Sequence, residues 1–254
     1  MSVILESAVL PETYDNYVFD LYGTLIDIHT DESKKEVWEK LALFLGYYGA
    51  IYTSEELQER YKMLVSESES ALKKSLAEAT RYAHEASPEI EITEVFRRLY
   101  QEKGTMEDQA LAIHTGQFFR VLSTEYVRLY PGTKAMLAHL KQLGKKVYLL
   151  SNAQRIFTAY EMNVLGIASY FDDILISSDY RTKKPDKRFF NILLERHGLD
   201  VKKTLFIGND GRCDIEGAKQ VNMNTFYVHS DISPEDDDPK EPDYIVKEFL
   251  KWEV

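Results

Sequence analysis

A carboxylate stands directly after a short apolar run near the start of the sequence. Asp20 follows Val18 and Phe19, and Gly23 and Thr24 then break the run with residues that are typical of a turn. A carboxylate at the end of a strand can act as a nucleophile, a base or a metal ligand. Because the loop also carries backbone amides and the Thr24 hydroxyl, we expect Asp20 and Thr24 to face one functional site.

Polar residues follow three later apolar runs in the same way. Ser151 and Asn152 follow the run 146–150, Lys184 follows the run 173–176, and Asp210 and Asp214 follow the run 204–208. Each has an ordinary alternative, since serine and aspartate cap helices and form turns, and lysine is commonly a solvated surface residue. The carboxyl ends of parallel strands, however, meet at one edge of an open sheet, where ligands bind. The coincidence of all four segments favours a single site.

Strand and helix patterns alternate from Pro131 onward. We predict strands over 146–150, 173–176, 204–208 and 225–228, with an edge strand over 244–246, and helices over 133–143, 153–165, 185–197 and 214–221. This alternation predicts an α/β fold with a Rossmann-like, doubly wound parallel sheet. Residues 1–16 read as a short lead-in to the first strand.

The region between the first strand and Tyr130 shows only helical spacing. A capping box at Ser33 to Glu36 opens the first predicted helix, and others start at Thr53, running past Ala83, and at Ile92, with a fourth over 111–126. No strand is predicted between Leu25 and Tyr130. Because this insert is far longer than a crossover connection, we expect a second, all-α domain over 30–128 and a core domain over 1–29 and 129–254.

The composition bounds the function classes. The chain of 254 residues carries a net charge of −11, which argues against a nucleic-acid-binding surface. The single cysteine, Cys213, excludes an internal disulfide and fits a reducing compartment. No long apolar run and no signal-peptide layout is present, so we expect a cytoplasmic protein that does not bind membranes. The sequence leaves the oligomeric state open.

The four motifs together resemble a known family. DxxxT from Asp20 to Thr24, SN at 151–152, KP at 184–185 and GxDxxxD from Gly208 to Asp214 are similar to those of the haloacid dehalogenase-like hydrolase superfamily. The helical insert after the first motif resembles the cap domain of that superfamily. The resemblance implies that Asp20 is a nucleophile that forms a covalent aspartyl intermediate.

The resemblance also implies roles for the other motif residues. Ser151 would contact the transferring group, Asn152 would line the site, and the charge of Lys184 would stabilise the transition state. It further implies a Mg²⁺ ion, which suits hard oxygen ligands, held by Asp20, the backbone carbonyl of Tyr22, Asp210 and Asp214.

Tyr22 departs from the pattern of the superfamily's phosphatases. They carry a second aspartate here, which protonates the leaving alcohol. A tyrosine titrates near pH 10 and is a poor base at neutral pH, although it can donate a proton. DxYGT is instead similar to the superfamily's haloacid dehalogenases, whose halide leaving group needs no proton.

Two other positions favour a metal-dependent enzyme. Phe190 stands where the resembled dehalogenases have a tyrosine, and the acidic pair Asp210 and Asp214 is kept. We therefore expect a Mg²⁺-dependent phosphatase that acts on a small phosphorylated metabolite. The alternatives are a 2-haloacid dehalogenase-type C–X hydrolase and a catalytically degenerate binding protein. A signalling receiver domain also uses an acceptor aspartate, but its single compact domain lacks so long an insert.

Overall fold

The structure is a computed structural model that describes residues 2–78, 87–105, 108–237 and 239–254. The strands are β1 (Val3–Leu5), β2 (Asn16–Phe19), β3 (Ile26–Thr30), β4 (Thr124–Leu129), β5 (Lys146–Ser151), β6 (Asp173–Ile176), β7 (Thr204–Gly208), β8 (Asn224–Val228) and β9 (Tyr244–Val246). The helices are α1 (Lys35–Tyr47), α2 (Ser54–Glu78), α3 (Ile92–Glu102), α4 (Gln109–Ser123), α5 (Thr133–Gln142), α6 (Arg155–Val164), α7 (Ser177–Tyr180), α8 (Lys187–His197) and α9 (Gly217–Lys219). Within these ranges, no helix is both long and apolar enough to cross a lipid bilayer.

Seven of the strands form one parallel sheet, in the order β1-β9-β8-β7-β2-β5-β6. Strand β2 lies between β5 and β7, and Phe19 is in register with Leu149 on one side and Ile207 on the other. The chain therefore leaves β2 toward β5 and β6 and later returns to β7 on its opposite side. Such a switch point opens a crevice at the carboxyl ends of the strands. This confirms the predicted Rossmann-like α/β class.

Both faces of the sheet are covered, which explains the continuous apolar runs in the sequence. Successive side chains of a strand point to opposite faces. Tyr17 and Phe19 accordingly join one buried apolar cluster, and Val18 joins another with Phe189 and Phe206. A strand buried on both faces needs apolar residues at every position. The central strands are therefore fixed on both sides, and so are the loops that follow them.

Helices α1 to α4 pack around an apolar cluster of their own. Trp38 on α1 lies 5.3 Å from Phe119 on α4, measured between ring centroids, and Phe96 on α3 lies 5.8 Å from Phe119. This cluster supports the proposed division into a core domain and an inserted helical domain over 30–128. Helix α4 also touches the core helix α6, since a Cβ on Gly116 would lie 2.5 Å from Ile156 Cδ1.

The prediction that no strand lies between Leu25 and Tyr130 is wrong. Strands β3 and β4 form an antiparallel pair, so the fourth predicted helix ends at Ser123 rather than continuing through Tyr126. The two strands are partly exposed and of mixed polarity, so neither shows a strong local pattern. Their pairing depends on a contact that is distant in sequence, in which Arg128 binds the buried Asp27 at 2.7 Å.

The lead-in and the C-terminal strand also differ from the prediction. Residues 1–16 contain β1, which pairs with β9 and forms the edge of the sheet in its place. The three residues of β1 are exposed or partly exposed, so they show no pattern that predicts a strand. The predicted capping by Ser33 is likewise absent, because the Ser33 hydroxyl donates to Asp31. Thr53 and Glu56 do cap α2, since each accepts a hydrogen bond from the other's backbone amide.

Two further helix limits are corrected. Helix α8 begins at Lys187 after the capping residue Asp186, so Pro185 precedes the helix instead of starting it. The predicted helix 214–221 consists of a π-helical turn over Gly211–Glu216 followed by α9. The predicted extension of α2 past Ala83 lies outside the described residues.

Candidate active site

Asp20 is fixed at the carboxyl end of β2. Its backbone amide donates to the Ile207 carbonyl at 2.8 Å, which extends the pairing with β7, and the residue is 7% exposed. The chain then turns sharply, because the amides of Leu25 and Ile26 both donate to the Leu21 carbonyl. The carboxylate therefore stands at the switch point of the sheet, where a ligand can approach it.

Gly23 makes this turn possible. Its φ is +84°, a backbone conformation that residues with a side chain rarely adopt. A Cβ at this position would lie 2.2 Å from Asn209 Nδ2. The glycine thus allows the loop after Asp20 to lie against the loop after β7. Thr24 joins the same two loops, since its buried hydroxyl donates to Asn209 Oδ1 at 3.3 Å.

A buried lysine lies between two aspartates. Lys184 Nζ lies 2.6 Å from Asp20 Oδ1 and 2.7 Å from Asp214 Oδ1. Burial opposes the charge of the lysine, but the carboxylates of Asp20 and Asp214 hold its pKa above the usual range. Burial raises the pKa of Asp214 above its usual range, against the opposing charge of Lys184. The structure thus brings together residues 164 and 30 positions apart in the sequence.

Asn152 holds the backbone of Lys184 in place. Its amide Nδ2 donates to the Lys184 carbonyl at 2.9 Å, and the Lys184 amide donates to Asn152 Oδ1 at 2.8 Å. This paired contact fixes the loop after β6 to the loop after β5. Asn152 therefore orients the lysine as well as lining the cavity.

The loop after β7 is held by its own two aspartates. Asp214 Oδ2 accepts from the amides of Asn209 and Asp210, each at 3.0 Å. Asp210 Oδ1 accepts from the amides of Arg212 and Cys213, so Asp210 also caps the helical turn that follows. The ordinary role and the site role of Asp210 are compatible, because a carboxylate has a second oxygen.

Two buried oxygen atoms in this region are without a hydrogen-bond donor or acceptor. In the described residues, neither Ser151 Oγ nor Asp214 Oδ1 has a hydrogen-bond partner, although the latter contacts Lys184 as an ion pair. Leaving a buried polar atom unpaired costs free energy and marks a place where a ligand or ion can bind.

A cavity of about 200 Å³ joins the strand ends of β2, β5, β6 and β7, and the expected site residues Ser151 and Thr24 are not among its described lining residues. Its described lining comprises Asp20, Tyr22, Asn152, Lys184, Asn209, Asp210, Cys213, Asp214, Ile232 and Pro234. Sequence reasoning missed Ile232 and Pro234, which lie in the acidic loop after β8 and belong to no motif. The Ser233 hydroxyl fixes that loop by donating to the Asn209 carbonyl at 2.8 Å.

Tyr22 lines the cavity, but its hydroxyl is engaged elsewhere. It donates to Glu161 Oε2 at 2.5 Å and lies 3.1 Å from Thr158 Oγ1. Arg120 on α4 donates to Glu161 Oε1 at 2.8 Å, and its guanidinium lies over the Tyr22 ring. Burial, reinforced by the charge of Glu161, raises the pKa of Tyr22 above its usual range. No sequence pattern pointed to Arg120 or Glu161, because both lie outside every motif.

The donor chemistry of the cavity fits a hard cation. The carboxylates of Asp20, Asp210 and Asp214 all line it, and Asp214 Oδ1 has no hydrogen-bond partner in the described residues besides its 2.7 Å ion pair with Lys184. In the described ranges, no group of three or more His, Cys, Asp or Glu side chains is arranged as a metal cluster. An ion such as Mg²⁺ keeps several water ligands and can also be coordinated by backbone carbonyl oxygens. It therefore does not require that side chains supply all of its ligands.

The parallel sheet and the buried aspartate–lysine pair at its switch point define an α/β enzyme. Residues 14–222 match the family model of the haloacid dehalogenase-like hydrolases. The chain therefore belongs to that family and is a hydrolase, which confirms the resemblance seen in the motifs.

Three proteins of known name that are similar to this chain in sequence are phosphatases. The chain is 27% identical over 208 residues to phosphoglycolate phosphatase of Vibrio cholerae, which covers 82% of this chain and 81% of that protein. It is 30% identical over 120 residues to glyceraldehyde 3-phosphate phosphatase of Methanocaldococcus jannaschii, covering 47% and 53% of the two chains. It is 28% identical over 142 residues to phosphoserine phosphatase of Thermus thermophilus, covering 56% of each. The chain thus spans about half the length of the last two.

Solved structures of both chemistries share the fold. The 2-haloacid dehalogenase of Pseudomonas syringae aligns with a TM-score of 0.60 at 21% identity, over 97% of this chain and 94% of that one. A phosphatase from Thermococcus onnurineus aligns with a TM-score of 0.53 at 16% identity, over 92% and 94%. At such identities these similarities show the fold alone.

Proposed function

We propose that this hydrolase is a Mg²⁺-dependent phosphatase that uses Asp20 as its nucleophile on a small phosphorylated metabolite. The observation that carries the proposal is the Asp20 carboxylate, held 2.6 Å from the buried ammonium of Lys184 at the switch point of the sheet. The phosphatase names of the similar proteins support the substrate class. The cavity of about 200 Å³ suits a small substrate.

Asp20 acts in two displacements. Its carboxylate oxygen attacks phosphorus, and the bond to the leaving oxygen breaks, so that the leaving group departs with the electron pair. Water then attacks the phosphorus of the aspartyl phosphate, and the bond to Asp20 breaks, so that Asp20 leaves as a carboxylate and the released phosphate keeps both protons of the water as H₂PO₄⁻. Splitting the reaction in this way replaces one difficult displacement by two easier ones.

The neighbouring side chains orient and neutralise the transferring group. Lys184 offers fixed positive charge beside Asp20, in a buried site where charge interactions are strong. Ser151 has a buried hydroxyl with no hydrogen-bond partner in the described residues, and we assign it to an oxygen of the transferring group. Asn152 holds Lys184 in place through its backbone.

A Mg²⁺ ion is part of the proposal. Asp20, Asp210, Asp214 and the backbone carbonyl of Tyr22 would hold it, and when bound it would offset the repulsion between an anionic nucleophile and a phosphate. Lys184 alone supplies one positive charge near two carboxylates. A divalent cation would therefore be needed to make the cavity attractive to a phosphate dianion.

A second candidate is C–X hydrolysis of the 2-haloacid dehalogenase type, favoured by Tyr22. A halide leaves without a proton, and the Tyr22 hydroxyl donates its hydrogen to Glu161 rather than into the cavity. The acidic residues Asp210 and Asp214, which both line the cavity, weigh against it. A third candidate, a degenerate binding protein, would show neither chemistry.

The proposal is tested by hydrolysis of p-nitrophenyl phosphate with Mg²⁺ and with EDTA. The leaving group of this substrate needs little protonation, so the assay does not depend on an acid at position 22. We expect Mg²⁺-dependent release that is abolished in Asp20→Asn and retained in Asp236→Asn, which changes an exposed aspartate in the same chain.

The other outcomes separate the candidates. Halide release from 2-chloropropionate that depends on Asp20, without phosphate release, would establish dehalogenase chemistry. Absence of both reactions in a folded protein would leave a binding role. Activity that persists in Asp20→Asn would rule out this nucleophile.

A further inference from the structure

The lysine, cysteine and tyrosine side chains of the described lining all face carboxylates. Lys184 lies between Asp20 and Asp214, at 2.6 and 2.7 Å. The partly buried Cys213 thiol lies beside the carboxylate of Asp210, which accepts a hydrogen bond from the Cys213 amide at 2.6 Å. The Tyr22 hydroxyl donates to Glu161. The protons of these three side chains are therefore directed toward carboxylates of the protein.

The hydrogen bond from the Tyr22 hydroxyl to Glu161 is held in place by buried neighbours. Glu161 is buried, with its side chain 8% exposed, and its second oxygen accepts from Arg120 at 2.8 Å. Thr158, which is fully buried, lies 3.1 Å from the same hydroxyl. Turning the hydroxyl of Tyr22 into the cavity would leave a buried carboxylate with one hydrogen bond fewer, which is costly. Glu161 is therefore a positioning residue that keeps the Tyr22 proton at the interface of α4 and α6.

The basicity of the leaving group determines whether the reaction needs a proton donor. An alkoxide is a strong base, and its departure is normally assisted by a general acid, which contributes on the order of 10²–10⁴ in rate. A carboxylate, phenolate or enolate is a stable anion and leaves with the electron pair of its bond to phosphorus, without taking a proton.

We propose that the substrates of this site are phosphorylated compounds whose leaving group departs as a stable anion, acyl phosphates foremost, because Glu161 holds the Tyr22 proton away from the leaving oxygen. This inference rests on the proposed phosphatase function and narrows its substrate class. Simple alkyl phosphate esters are correspondingly poor substrates.

The test is a leaving-group series in the presence of Mg²⁺. Phosphate release is measured from acetyl phosphate, p-nitrophenyl phosphate, phenyl phosphate and phosphoglycolate, with Asp20→Asn as the blank for spontaneous hydrolysis. We expect kcat/KM to fall steeply as the basicity of the leaving group rises, so that phosphoglycolate lies at least about 10²-fold below acetyl phosphate.

Two matched variants test whether the lack of a proton donor causes the low turnover of alkyl phosphate esters. Tyr22→Asp places a carboxyl group that can protonate a leaving oxygen, and Tyr22→Asn has the same size and shape without that proton. We expect Tyr22→Asp to raise the ratio of phosphoglycolate to acetyl phosphate turnover by on the order of tenfold or more, and Tyr22→Asn to leave the ratio low. A ratio cancels any equal loss of active protein.

The failures are distinguishable. Turnover of phosphoglycolate within about tenfold of acetyl phosphate by the unaltered protein, or equal ratios for the two variants, would overturn the substrate class while the phosphatase stands. Absence of phosphate release from every substrate, or release that Asp20→Asn retains, would overturn the proposed phosphatase and this inference with it.

Discussion

Lys184 Nζ lies 2.6 Å from Asp20 Oδ1, and both groups are almost fully buried. The same ammonium lies 2.7 Å from Asp214 Oδ1, so one positive charge is shared by two carboxylates from two different strand ends. Removing one partner of a buried ion pair leaves the other charge uncompensated.

Lys184→Met should therefore be costly for stability. We expect a loss of about 3–5 kcal/mol in the free energy of unfolding, because two carboxylates then face each other without a counter-charge. Urea unfolding in the presence of EDTA measures this without a bound cation. The exposed Lys187, changed to Met, should stay within about 0.5 kcal/mol of the unaltered protein. Equal stability of the two variants would contradict the buried pair.

Gly23→Ala and Gly46→Ala should have opposite effects. Gly23 has φ +84° and no room for a Cβ beside Asn209, so alanine should destabilise the protein by at least about 1–2 kcal/mol. Gly46 lies in α1 with no atom within 4 Å of its Cβ position, so alanine should stabilise by about 0.5–1 kcal/mol. Thermal unfolding of both variants measures the difference, and a shift of the same sign in both would show that the turn after Asp20 is wrongly described.

Asp214→Asn should weaken Mg²⁺ binding. The variant loses the charge of a buried oxygen that has no hydrogen-bond partner in the described residues. We expect the Kd for Mg²⁺ to rise about tenfold or more, since the ion prefers charged oxygen ligands. Calorimetric titration with MgCl₂ alone measures this independently of turnover. Asp236→Asn is the control, and an unchanged affinity in Asp214→Asn would show that this residue is not a ligand.

Asp172 should make a pH-dependent contribution to stability. Burial opposes its charge, but Lys141, the Val147 amide and Lys146 outweigh it and lower the pKa from 3.8 to about 2. Because the pKa in the folded state is the lower one, the stabilisation is present above pH 3.8 and is lost as the pH falls toward 2.

Asp172→Asn should accordingly be less stable than the unaltered protein at pH 7, by about 1 kcal/mol given partial exposure, and the gap should narrow between pH 4 and pH 2. Urea unfolding at pH 7, 5 and 3 measures the gap. Asp236→Asn should show almost none at any of these pH values, and a gap that widens toward low pH would reverse the sign argued for Asp172.

The strongly patterned parts of the fold could be predicted from the sequence. Strands such as β7 are buried on both faces, so their centres are continuously apolar, as in Leu205, Phe206 and Ile207, and the run is recognisable without any knowledge of its neighbours. The weakly patterned strands could not be predicted. In β3 and β4 the burial is partial, and Asp27 is acceptable inside only because Arg128 lies opposite.

The residues of the candidate site likewise fall into those that could be predicted from the sequence and those that could not. Asp20, Lys184 and Asp214 could be proposed because topology alone brings the carboxyl ends of parallel strands together. Ile232 and Pro234 could not, since their place in the cavity depends on the Ser233 contact that folds the loop after β8 back onto Asn209.

The class of fold and the residues that meet at the edge of the sheet could be inferred from the amino-acid sequence, because strand periodicity and strand-end chemistry are local properties of the chain. The role open to Tyr22 could not be inferred in this way. Whether its hydroxyl faces a leaving group or a carboxylate depends on Glu161, which lies 139 residues away and is brought there by the packing of α6 against the loop after β2 and against α4. A hydrogen bond between such distant residues exists only once the helices have packed, so no pattern along the chain encodes it.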